Sequence, residues 1–200
     1  MDEIEREVIK AGADAVAAPV TKIIGDLVAL SGGNWLSHKA KMQRERLEQS
    51  ARYLSAKSKE ILKERGVEPD AEAATEHIEQ IVEAAGETSH LEIIDLYAAL
   101  LAAAVDPQRK TKFRRGYVDI VRGLEPLDAL VLSELRHERT LHSTKLNFIA
   151  TELNRGQDEI DVSFDNLKKL ELVAQQNIGP SATSPNITSK GRQFLAVVFD

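Results

Sequence analysis

Apolar residues at Ile4, Val8, Ile9, Val16, Val20, Ile23, Ile24, Leu27 and Val28 recur at helical spacing and predict a first helix from about Glu3 to Leu30, kinked at Pro19. Ser31-Gly-Gly-Asn34 stops it. No Lys-Ser/Thr follows these glycines, so they read as a turn rather than a phosphate cradle. A long polar helix is predicted from Ser37 to Arg65. Its stripe is narrow: Leu36, then Ala40, Leu47, Leu54 and Ile61 at heptad spacing, broken by Gln43 and Ser50. So thin a stripe on so charged a helix suits a seam against one neighbour, and Leu47, Leu54 and Ile61 are the expected self-association residues.

The pattern changes at Gly66-Val-Glu-Pro69, which ends this helix and opens another with Ile78, Ile81, Val82 and Ala85 inward. Ser89-His-Leu-Glu92 has the spacing of a capping box. It precedes Leu91–Val105, a segment so uniformly apolar that it must be the central core helix, ended by Asp106-Pro107. Thr111 to Arg122 reads as a short basic helix stopped at Gly123.

Three more helices are predicted at Pro126–Glu138, Ser143–Leu153 and Ser163–Leu170. Short strands at Glu171–Ala174 and Pro185–Thr188 flank a loop rich in Gly, Pro and Ser, and Ser189–Leu195 forms a last helix. Three helices, a two-stranded wing and a helix is the order of a winged helix. The expected fold is therefore mainly α: two long N-terminal helices (1–65), a helical core (66–122), and a winged-helix-like module (124–200).

Composition agrees, with 42% hydrophobic residues but only 4% aromatic ones, a balance that favours helix on helix. The absence of Cys removes disulfides, thiolate nucleophiles and Cys-ligated zinc. The first residues, Met1-Asp-Glu-Ile-Glu-Arg-Glu, lead into no apolar signal core. Ala15–Leu36 is interrupted by Pro19, Lys22, Asp26 and Gly32-Gly33, too often for a spanning helix. A cytoplasmic location is expected.

Charge is segregated. Residues 38–65 carry nine Lys/Arg against four Glu, whereas 66–106 hold ten acids and no Lys or Arg. Residues 107–122 then return six bases against one acid. Such blocks either meet one another inside the fold or present a field to a charged partner.

No catalytic constellation emerges. His137 and His142 are five residues apart, about 140° on a helix, so they cannot share a metal as two histidines one turn apart would. No Gly-x-Ser-x-Gly elbow exists. No enzyme activity, cofactor or metal is expected. The nearest thing to a site is Arg109, Lys110, Lys112, Arg114 and Arg115, interleaved with Phe113 and followed by Tyr117. This stretch suits either a polyanion or the acidic segment upstream. Phosphate is a poor partner for the C-terminal module, because Asp158, Glu159, Asp161 and Asp165 crowd the start of its third helix.

Ile93-Ile-Asp-Leu-Tyr-Ala-Ala-Leu-Leu-Ala-Ala-Ala-Val-Asp-Pro107 and then Phe113–Ala129, with its Leu124-Glu-Pro-Leu-Asp-Ala129 ending, resemble the abortive-infection alpha family of bacteria over residues 68 to 198. These are packing motifs. The resemblance implies a role in phage defence and a winged-helix-like end, and carries over no functional residue. The expected function is a non-enzymatic, self-associating interaction protein. One rival is a membrane-active effector using Val16–Leu30. The other is a nucleic-acid binder using 39–65 and 109–115.

Overall fold

The computed structural model describes residues 38–70, 75–136, 143–179 and 182–199, without the side chains of 38–48, 75–76, 143–147, 176–179 and 182–185. The helix expected over Glu3–Leu30, the Ser31–Asn34 turn and the start of the helix expected after Pro69 lie outside the described residues. Among them are eight helices and one two-stranded sheet. In order they are α1 (His38–Glu64), α2 (Thr75–Gly86), α3 (Leu91–Val105), α4 (Gly116–Arg122), α5 (Pro126–Leu135), α6 (Ser143–Glu152), α7 (Gln157–Lys169), β1 (Val173–Gly179), β2 (Ala182–Ile187) and α8 (Ser189–Val198). The chain is therefore mainly helical. It divides into two compact units at Val118/Asp119, four residues before the end of the helical core expected over 66–122.

In the first unit α1, α2 and α3 pack on one another. α3 is the core helix that its sequence predicts: Ile93 to Val105 is buried throughout except Asp95. Two points fix its direction relative to α1. Tyr53 donates to the Asp95 carboxylate at 2.7 Å, and Asp70 N–H, just past α1, donates to Val105 C=O at 2.7 Å. The two helices therefore run the same way. The Asp95 hydrogen bond also raises the Tyr53 hydroxyl pKa, since it favours the neutral phenol.

The buried stripe of α1 differs from the heptad expectation. It comprises Ser50, Ala51, Leu54, Ser58 and Leu62, so the Ser50 expected to break the stripe is part of it, while Ile61 is only half-buried. Three of these five are alanine or serine, and α3 contributes Ala98, Ala99, Ala102, Ala103 and Ala104, so small side chains let backbones approach closely. The Ser58 hydroxyl is buried at no cost in unmade bonds because it donates to Ser55 C=O at 3.2 Å. α1 ends at Gly66, whose φ of +64° permits paired bonds from Val67 N–H to Leu62 C=O and from Gly66 N–H to Lys63 C=O.

Two local expectations are corrected here. Ser89 does not cap α3. His90 is the N-cap residue and makes no side-chain cap bond, while the Thr88 hydroxyl accepts from His90 N–H at 3.2 Å. The basic stretch is turn rather than helix until Gly116, because Lys112 and Phe113 N–H both fold back onto Arg109 C=O.

The second unit is organised around Asp128, which is 2% exposed near the start of α5. Its carboxylate accepts from Glu125 N–H at 2.8 Å, Ser163 Oγ at 2.6 Å and Asn166 Nδ2 at 2.6 Å. One buried charge thus caps α5 and ties it to α7, with its lone pairs satisfied. α7 begins six residues before the expected Ser163. Glu159 accepts from Gly156 N–H at 2.9 Å, and acids in the first turn suit the helix dipole, so what reads as an acidic loop is helix.

β1 and β2 pair antiparallel with Val173 opposite Ile187, and both are longer than expected. The joint between α7, the ribbon and α8 depends on three residues. Glu171 takes φ +62° to end α7, with Leu172 N–H bonding Leu167 C=O. Thr188 donates its hydroxyl to Glu171 C=O at 2.6 Å and accepts from Gly191 N–H at 2.9 Å, capping α8. Gly191 lies directly against Leu172 C=O.

Candidate functional site

The five cations singled out in the sequence lie on the turn after α3 and the approach to α4. Asp106 organises the turn. It is 1% exposed, accepts from Gln108 N–H at 2.8 Å and pairs with Arg109 at 3.3 Å. Lys110 reaches 40 residues back to Asp70 at 2.6 Å. Arg115 donates to the side-chain oxygen of Gln80 through two nitrogens, the longer contact being 2.8 Å. Phe113 is buried, with His77 at 5.0 Å and Tyr117 edge-on at 6.5 Å between ring centroids. A base therefore has no exposed Phe113 face to stack on, and three of the five cations are engaged within the first unit. Lys112 and Arg114 face solvent.

The Lys110–Asp70 pair is half exposed on the lysine side. Lys110→Ala is accordingly expected to lower stability by less than about 1 kcal/mol, measured by urea denaturation.

Of the self-association residues, Leu54 is wholly enclosed within the first unit, Ile61 is half-buried, and the Leu47 side chain lies outside the described residues. Leu54 is a core residue and offers nothing to a second copy. The Val16–Leu30 segment of the membrane rival also lies outside the described residues. No described helix is long and apolar enough to cross a membrane. No group of three His, Asp or Glu among the described residues is placed to hold a metal.

Two surfaces of the second unit stand out. On α7, Asp158, Glu159, Asp161 and Asp165 are all exposed, and Val162 among them is 70% exposed. Beside the ribbon lies an open groove of about 710 Å³, bordered by Lys168, Glu171, Ala174, Gln175, Ser189 and Lys190. Lys190 bonds Glu171 at 2.9 Å, and this ammonium holds the exposed carboxyl below its ordinary pKa. No motif or spacing points to this groove, because its walls come from three elements.

Comparison with known proteins decides the family. The description abortive infection alpha matches residues 42–190. This chain belongs to that family. The match begins well before the expected residue 68, at Met42, so it takes in all of α1 but its first four residues. No curated protein and no solved structure matches the chain. Within the abortive infection alpha match, the Leu124-to-Ala129 stretch has a physical reason at each marked position. Leu124 and Ala129 are buried, Pro126 starts α5, and Asp128 binds α7.

Proposed function

We propose that this abortive infection alpha protein acts in phage defence by protein contact, without catalysis. The observation that carries this reading is the solvent face of α7. Four exposed acids surround an exposed valine on the third helix of a unit ordered like a winged helix. In a nucleic-acid reader that helix gains affinity from Lys and Arg at phosphates. Carboxylates there repel the duplex, whereas a protein partner can meet them with Lys or Arg of its own. The internal pairing of Arg109, Lys110 and Arg115 weakens the nucleic-acid alternative further. Self-association is kept as part of the proposal, on surfaces that exclude Leu54.

Titration of the full chain against a random-sequence duplex pool at physiological salt tests the reading. Binding no tighter than micromolar, with no sequence enriched, is expected. Enrichment of one sequence at sub-micromolar affinity overturns protein contact in favour of nucleic-acid recognition.

A further inference from the structure

The two edges of the ribbon differ. Thr188 N–H donates to Leu172 C=O at 3.0 Å. With Val173 opposite Ile187 and Gln175 opposite Pro185, the antiparallel alternation then directs the main-chain groups of Ile187, Pro185, Val173 and Gln175 away from the ribbon. On β2 that outward edge is blunted. Pro185 has no N–H, and Ile187 C=O accepts from Arg192 at 2.7 Å. On β1 it is not. Val173, at the root, is buried, but Gln175 is exposed and no described residue hydrogen-bonds to its outward N–H or C=O. This open edge borders the groove, which Lys168 at the end of α7 and Ser189 and Lys190 at the start of α8 also line.

The groove's charge indicates the occupant. Lys168 and Lys190 line it against Glu171, which Lys190 already holds, and with exposed Lys169 beside them the local charge stays positive through Lys168 and Lys169. The cations sit at one end of the open edge, where an added strand would leave β1.

We propose that this groove binds an extended, acidic segment of a partner protein, added as a third strand along β1 from Gln175 outward. The strand's main chain bonds Gln175, and its carboxylates meet Lys168 and Lys190. This rests on the protein-contact reading above and gives that contact a place and a partner chemistry.

The test uses the full-length chain and a fluorescent nine-residue peptide of alternating threonine and glutamate, followed by anisotropy at physiological salt. Saturable binding is expected. It should weaken at least tenfold for the same peptide with lysine in place of glutamate, and likewise for one N-methylated at every amide, which has no N–H left to pair with a strand on either edge. The double variant Lys168→Glu, Lys190→Glu should show the same loss. Both lysines are exposed, so circular dichroism should be unchanged. Lack of saturable binding overturns the site, as does equal binding of the N-methylated peptide, which would mean charge attraction alone. In either case an absence of duplex binding in the preceding experiment leaves the protein-contact reading standing. Displacement of the peptide by random duplex DNA would overturn both.

Discussion

Gly191→Ala is expected to abolish the ordered packing of α8 and the ribbon. An added Cβ would lie 2.1 Å from Leu172 O and 2.9 Å from both Leu172 C and Ile187 Cγ2. In an ordinary helix the same change is favourable by about 1 kcal/mol, because alanine is the better helix former. Here sterics outweigh propensity. The Leu172 carbonyl is main chain, and it accepts from Thr188 N–H at 3.0 Å and from the Thr188 hydroxyl at 3.2 Å, so it cannot swing aside without undoing the α8 cap. Overpacking a core with flexible neighbours costs about 1–3 kcal/mol. Against fixed backbone we expect roughly 4 kcal/mol or more. Hydrogen exchange read by mass spectrometry should show protection lost across residues 157–198 and kept in α3. Wild-type protection throughout would mean that α8 does not approach Leu172 so closely. Gly123→Ala is the control, since the nearest atom there, Leu170 Cδ2 at 2.9 Å, is the movable end of a side chain.

Gly191 also shows what the sequence revealed and what it did not. The run Ile187-Thr-Ser-Lys-Gly-Arg stands out as a pattern, but its cause is a contact with Leu172, 19 residues earlier, which no spacing rule contains. Helices with strong apolar rhythm, α3 above all, were legible because burial alone specifies them. The α1 stripe was misread because Ala51 and Ser58 count as neutral in a heptad scan, yet serve close packing. The Ser89 box was misread because a capping sequence says what a helix start can do, while here His90 is the N-cap, no side chain caps α3, and Thr88 accepts only from His90 N–H. Segregated charge left the basic turn two partners, a polyanion or the acidic segment upstream, and Lys110 takes the second through Asp70. The groove was illegible because its residues come from α7, β1 and α8, and neither Gln175 nor Lys168 is notable alone.

Leu54→Asp separates the two readings of α1. A seam residue exposed on the monomer would tolerate aspartate, leaving a folded chain of lower mass in light scattering. Leu54 instead has no exposed surface, in a helix that packs on both α2 and α3. Removing a buried leucine side chain costs about 2–5 kcal/mol. A carboxylate in its place must either be buried without a partner or draw in a proton or water, adding several kcal/mol more. The sum is comparable to the roughly 5–15 kcal/mol that holds an ordinary domain together. Loss of the first unit's helical signal in circular dichroism, with aggregation or degradation in place of a clean monomer, is therefore expected. Ile61→Asp, at a half-buried position on the same helix, should be much milder. A Leu54→Asp chain with native helicity and melting temperature, and a lower mass than wild type, would restore the seam and remove Leu54 from the core.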